Sequence, residues 1–300
     1  METRQRPVLA LGLRLVAALC IATMFMLGKL AHEDGVALPE IMFWRQFIAL
    51  PILLGYLLTT RGLATLKTSR IRSHSLRGMV GMTGMFSNFA AVILLPLAES
   101  TTLNFTAPLF AVIIAALVLH DKVGRWRWTA VAFGFAGVMV ITQPGHAHLP
   151  LLGAIAGLVS ALLNATISFQ IRDLGRTEQP VTIVFYFALF GTLLTAPLLP
   201  FFFTPHSAQV WFLLGSVGVM GTIGQLFMTA ALRLGPVASV IIMDYSQIIW
   251  ATLYGWLIWQ NLPSQSTWLG MPLIIAAGLV IAWREQHLAR NYRVTPAENE

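Results

Sequence analysis

A 300-residue chain that is 57% hydrophobic and only 10% charged, with a mean hydropathy of +0.74, cannot be an ordinary soluble domain, since soluble chains average about 25% charged residues. The net charge of +7 does not mark a nucleic-acid-binding face, because the basic residues fall in short gaps between apolar runs, as membrane topology requires. A lone cysteine, Cys20, within an apolar run excludes a disulfide framework and a Cys/His metal cluster.

Ten apolar segments are predicted as membrane-crossing helices, at 8–30, 39–59, 77–95, 99–119, 126–143, 150–170, 180–203, 208–230, 236–258 and 266–284. About 20 apolar residues cross the ~30 Å hydrocarbon layer. The run after Arg6 is too long for a signal-peptide core and no small-residue cleavage site follows it, so it is expected to stay as the first span. The gaps then sort by charge. Arg4 and Arg6 precede segment one; Arg61, Lys67, Arg70, Arg72 and Arg77 follow segment two; Lys122, Arg125 and Arg127 follow segment four. Arg172 and Arg176 follow segment six, Arg233 follows segment eight, and Arg284, Arg290 and Arg293 follow segment ten. The alternate gaps hold His32, Glu33, Asp34, Glu99, His146, His148 and His206, with no Lys or Arg. Sixteen of nineteen basic residues thus fall on one side, which predicts an inner-membrane protein with both termini cytoplasmic. The run from Arg61 to Arg77 reads as a solvated topology signal.

The halves repeat. Shifted by 141, Leu13–Pro39 overlays Ala154–Pro180, with Thr23 on Asn164. LPLAESTTLNFTAPLF (95–110) meets LGPVASVIIMDYSQIIW (234–250) at a shift of 139 or 140, and HDKVGRWRW (120–128) meets QNLPSQSTW (260–268) at 140. Five helices per copy is an odd number, so the second copy enters from the opposite side. The predicted fold is an all-α membrane protein, ten transmembrane helices in two inverted five-helix repeats, 8–143 and 150–284. Such a duplication is a transporter architecture with its site near the midplane.

Candidate site residues follow in chain order. Lys29 and His32 read as boundary residues at the end of segment one. Arg45, about two turns into segment two, either snorkels to the surface or faces inward toward an anion; Trp44 beside it reads as an interfacial residue. In segment three, Gly84, Asn88 and Ala91 make a stripe on which Asn88 either glues two helices or contacts solute. In segment four, Thr101, Asn104 and Pro108 share a face; Pro108 removes the hydrogen bond to the Asn104 carbonyl, which then needs another partner. Gly215, Gly218, Gly221 and Gly224 in segment eight form a row for close helix packing. Segment nine carries Asp244 well inside its span, where a carboxylate costs about 2.5–3.5 kcal/mol. Asp244, Gln247, Ala251 and Tyr254 fall on one stripe. Asp244 is either capped by a neighbouring hydroxyl or amide, or faces a cavity. The cavity reading has walls from segments one, three, four, six, eight and nine. Asn88, Asn104, Phe105, Asp244, Tyr245, Gln247 and Trp250 lie at or near it, as does Arg45 if it turns inward. Its aromatic faces suit a partly apolar solute such as an aromatic amino acid. Asp244, read as the only deep acid, would then hold the ammonium or carry a proton, and the Asn104 and Asn88 amides or Arg45 would hold the carboxylate.

WRQF (44–47), LPLAESTTLNFTAPLF with LHDKVGRWRW, and LGPVASVIIMDYSQIIWATLYGWLIWQNLP together resemble the drug/metabolite transporter superfamily in its EamA-type branch, over nearly the whole chain. The family pattern often has Glu where Asp121 stands and again near Gln260–Asn261, so no role passes to Asn261. The resemblance implies secondary transport of small metabolites, often amino-acid export, with riboflavin or S-adenosylmethionine uptake as the alternative. Absence of a GxxxxGK[ST] loop excludes an ATP-driven pump within this chain. A membrane enzyme acting on lipid-linked substrates would want clustered acids, His or Cys near one face, whereas here the acids are scattered. The expected partners are the bilayer and a small-molecule solute, with protons as a candidate coupling ion and a monomer or homodimer as the assembly. No nucleic acid, cofactor or metal is implied.

Overall fold

The computed structural model describes residues 7–60, 62–121, 123–143, 149–234 and 243–294, which are helical, with no strand among them. Arg4, Arg6, Arg61, Lys122, His146, His148 and residues 235–242 lie outside the described residues. The helices are α1 (Pro7–Glu33), α2 (Leu38–Thr60), α3 (Ile71–Leu94), α4 (Leu97–Asn104), α5 (Ala107–Leu117), α6 (Arg125–Thr142), α7 (Leu151–Leu174), α8 (Pro180–Thr195), α9 (Leu199–Phe202), α10 (Ala208–Leu234), α11 (Ser246–Trp259) and α12 (Gln265–Val294). By length and composition, seven stretches of the described residues can cross a membrane: α1, α2, α4 with α5, α7, α8 with α9, α10 and the first part of α12. Basic residues set α3 and α6 apart: Arg72 and Arg77 in the first two turns of α3, Arg125 and Arg127 at the start of α6.

Three predicted segments depart from a single continuous helix. Segment four is cut between α4 and α5, where Pro108 cannot donate to the Asn104 carbonyl. Segment seven passes from α8 through a 3₁₀ turn, Ala196–Leu198, into α9, where Pro197 and Pro200 remove two backbone donors three residues apart. Segment nine is described only from a 3₁₀ turn, Met243–Tyr245, that leads into α11, so Asp244 lies just ahead of that α-helix. The start of α3 also differs from expectation. It begins at Ile71, which takes Arg77 out of the loop and into the helix, where it is 3% exposed. Arg77 is therefore no solvated topology signal.

The main packing partners are α1 with α10, α3 with α7, α6 with α12, and α2 with α8. Lesser pairs are α2 with α10, α3 with α8, α1 with α11, α7 with α4 and α5, and α4 with α11. Advancing each segment number by five returns the same set: segments one and eight become six and three, and segments five and ten exchange places. Small residues permit the closest of these approaches. A Cβ on Gly270 of α12 would lie 2.5 Å from the Gly137 carbonyl oxygen on α6, and one on Gly137 would lie 2.8 Å from that of Gly270. Backbone on each side leaves nothing to rotate away. Gly270→Ala is expected to destabilise the fold by about 1–3 kcal/mol. Gly55→Ala, with nothing within 4 Å of the added methyl, should be neutral or gain up to about 1 kcal/mol of helix propensity. Thermal unfolding in detergent separates the two. Gly218, Gly221 and Gly224 of α10 meet Ile48, Met24 and Ile21 as the packing row requires, but Gly215 has open space beside it and belongs to no contact.

Candidate functional site

The interruption of segment four creates local polarity. Phe105 N–H bonds the Thr101 and Thr102 carbonyls, Thr106 N–H bonds that of Leu103, and the chain restarts as α5 with Pro108 in its first turn. Asn104, the last residue of α4, accepts a 2.8 Å hydrogen bond on its side-chain oxygen from Asn164 Nδ2 of α7. Phe105 packs edge-to-face on Tyr245, with centroids 4.9 Å apart. These two residues are related by the shift of 140, and through them the interruption of segment four meets the 3₁₀ turn ahead of α11. Tyr245 also reaches over Gly278 of α12, where a Cβ would collide with its hydroxyl.

Asp244 has a partner that the sequence reading did not assign. Arg14 of α1 grips it with both arms: Nε donates to Oδ1 at 2.5 Å and Nη2 donates to Oδ2. Nη1 of the same guanidinium donates to the Met228 carbonyl of α10 at 3.2 Å, so one side chain ties α1, α10 and the 3₁₀ turn together. The Arg14 and Asp244 side chains are 7% and 20% exposed. The expected cap, a neighbouring hydroxyl or amide, is replaced by a full counter-charge. A lone Arg in one span and a lone Asp in another were the available signal, because intramembrane charges pair with one another.

The rest of the predicted stripe runs along the same neighbour. Ala251 and Tyr254 pack with Phe25 and Met26 of α1, and the Tyr254 hydroxyl donates to Thr23 Oγ1 at 2.8 Å while Thr23 donates to the Leu19 carbonyl. Thr23 and Asn164 are equivalents under the shift of 141; Thr23 bonds Tyr254 of segment nine and Asn164 bonds Asn104 of segment four. Gln247 and Trp250 are half-buried in the first turns of α11. Asn88 is buried on α3 between Gly84 and Ala91, which face Leu163 and Gly157 of α7, so its stripe is the α3–α7 interface.

Arg45 does not snorkel. It is 3% exposed and contacts Met24, Gln46 and the Phe187 ring of α8, a different set of elements from those around Phe105 and Tyr245.

Each end of the bundle is fastened by polar contacts between distant segments. At one end Lys29 is no simple boundary residue: its Nζ donates to the Leu95 carbonyl at 2.7 Å and lies 5.4 Å from the Trp259 ring, whose Nε1 donates to Glu33 at 2.8 Å. Glu99, expected in a loop, is 1% exposed in the first turn of α4 and accepts from Ser264 N–H and the Thr267 hydroxyl. Asp244 is thus not the only buried acid. Glu40, fully buried, lies 2.8 Å from His206 Nε2 and accepts from Trp44 Nε1, which makes Trp44 part of this cluster. At the end carrying the basic loops, Tyr186 donates to the Leu66 carbonyl and Thr182 to that of Thr65. Thr68 donates to Glu178, and Arg70 pairs with Asp173. His74 packs against Tyr186 with the ring planes tilted by 33° and its own ring buried. Burial lowers its pKa below the usual 6.5, as do Arg70 and Arg77 more weakly, while Glu178 opposes the shift.

Residues 8–143 and 151–283 each match the EamA-like transporter family. A pseudopaline exporter of Pseudomonas aeruginosa (strain UCBPP-PA14) is 30% identical over 271 residues, spanning 89% of this chain and 95% of the relative. A riboflavin transporter of Vibrio cholerae is 28% identical over 98% of this chain and 99% of the relative. An S-adenosylmethionine uptake transporter of Rickettsia prowazekii is 27% identical over 82% of this chain and 83% of the relative. One solved crystal structure, at 19% identity, shares the fold with a TM-score of 0.60 over 89% of this chain and 96% of the other. Seven stretches able to cross a membrane, together with these matches, make the protein an integral membrane protein. It is a member of the EamA-like transporter family.

Proposed function

We propose that the chain is a secondary transporter of small metabolites in the inner membrane. It has ten crossings in two inverted halves, 8–143 and 150–284, with both termini cytoplasmic, and it exports amino acids with apolar or aromatic side chains. The observation that carries this reading is the meeting of the interrupted segment four with the 3₁₀ turn ahead of α11, at Phe105 and Tyr245, with a polar group beside each: Asn104 bonded to Asn164, and Asp244 paired with Arg14. Interrupted helices facing each other at the interface of inverted halves are where carriers of this architecture bind solute. Packing pairs that return themselves when segment numbers advance by five support the duplication, and so do the equivalent roles of Thr23 and Asn164. Relatives named for export and for uptake support small-molecule transport in either direction. The aromatic faces of Phe105, Tyr245 and Trp250 favour a solute with an apolar ring.

Asp244 then changes partners. Arg14 holds it in this conformation, and the ammonium of the solute, or a proton, holds it in the other. Proteoliposomes loaded with a panel of amino acids, riboflavin and S-adenosylmethionine test the reading. Saturable flux of an aromatic or aliphatic amino acid is expected; flux of none of the amino acids would remove the exporter reading. Reporter fusions at residues 35, 147 and 263 should report the outside, and at 66, 175 and 295 the inside. A single inverted result would break the topology.

A further inference from the structure

Two cations are buried against one ring. The guanidinium carbons of Arg45 on α2 and Arg77 on α3 lie 5.5 and 4.1 Å from the centroid of Phe187, and each side chain belongs to a residue 3% exposed. Neither arginine has a carboxylate within ion-pair range among the described residues. Arg45 donates to neutral acceptors only, Gln46 Oε1 at 2.8 Å and the Met24 sulfur at 3.4 Å. Arg77 Nε and Nη1 are buried with no acceptor at all. The backbone makes room for both groups: a Cβ on Gly81 would strike Arg77 Nη1, and one on Gly221 would come within 3.0 Å of Arg45 Nε. Cation–π attraction to a single ring offsets only part of the desolvation of one guanidinium, and here two share it. Arg14 shows the contrast, since its charge is matched by Asp244.

We infer that Arg45 and Arg77, on either helix beside Phe187, form an anion site that receives the carboxylate of the transported solute. This rests on the transporter reading but not on Asp244 as the ammonium partner: Arg45 meets α1 at Met24 while Asp244 meets it at Arg14, several turns away, so the anion site is separate and the solute it takes is a carboxylate-bearing metabolite. Planar guanidinium forks match a carboxylate's two oxygens, and the unused Arg77 donors supply the hydrogen bonds that an incoming anion needs. The carboxylate partners thus lie on α2 and α3, where two guanidinium charges lack an anion, and not at the neutral amide of Asn104.

The test reads binding and not flux, so it can succeed where the amino-acid panel fails. Thermal unfolding of the purified full chain in detergent is followed in sodium 3-phenylpropanoate, sodium phosphate and sodium chloride at equal ionic strength, with 3-phenylpropanamide as the uncharged twin. A saturable rise in the unfolding midpoint with 3-phenylpropanoate is expected, absent with chloride and with the amide. Arg45→Gln and Arg77→Gln should each weaken the apparent affinity by about tenfold or more. In chloride alone Arg77→Gln should unfold no lower than the wild type, because an unmatched buried charge has been removed. If a Gln variant does not fold, Gly81→Ala serves in its place: its methyl displaces the Arg77 guanidinium and should abolish the saturable rise. An equal rise with the amide, a rise with phosphate alone, no rise in the wild type, or wild-type affinity in the variants would each overturn the assignment.

Discussion

Arg14→Gln is expected to destabilise the protein by about 3–5 kcal/mol, the usual consequence of removing one member of a buried ion pair and stranding the other. The mutation deletes both bonds to Asp244 and the bond to the Met228 carbonyl, and so loosens α1 from α10 and from the turn ahead of α11. Arg14→Gln combined with Asp244→Asn should recover most of that loss, because two amides can bond each other and no charge is left stranded. A double-mutant cycle of unfolding midpoints measures the coupling, expected near the upper end of the roughly 0.5–3 kcal/mol seen for contacting residues. Additive effects would mean that the pair contributes nothing as a pair.

Seven of the membrane-crossing stretches were legible from hydropathy because a bilayer imposes length and apolarity on a helix that crosses it. The interruption at Pro108 was legible too, since a missing donor has local consequences that need no tertiary context. What sequence reasoning missed was which polar groups face which. Arg77 reads as a loop residue because it stands at the end of a basic run; only the early start of α3 turns it inward onto Phe187. Arg14 shows no role in the sequence because its partner lies 230 residues away, a separation no periodicity reports. Glu99 has the same history: an acid at the edge of an apolar run reads as exposed until Ser264 and Thr267 are seen against it. Glycine rows predicted close packing at Gly218, Gly221 and Gly224, yet spacing alone could not exclude Gly215, which faces open space.

The proposed change of partner at Asp244 is tested most directly by measuring three quantities on Asp244→Asn in proteoliposomes: solute binding, solute exchange and pH-driven accumulation. The amide keeps the shape of the carboxylate, and Arg14 retains the Met228 carbonyl and an amide oxygen, so folding should survive better than in Arg14→Gln. If Asp244 receives the ammonium of the solute, affinity and net flux fall together, by about tenfold or more for a lost charge-assisted bond. If it carries only a proton, binding and exchange persist while pH-driven accumulation is lost. Either result places Asp244 in the transport cycle, as proposed. Wild-type binding, exchange and pH-driven flux in Asp244→Asn would contradict it and leave the Arg14–Asp244 pair a structural tie between α1 and the turn ahead of α11.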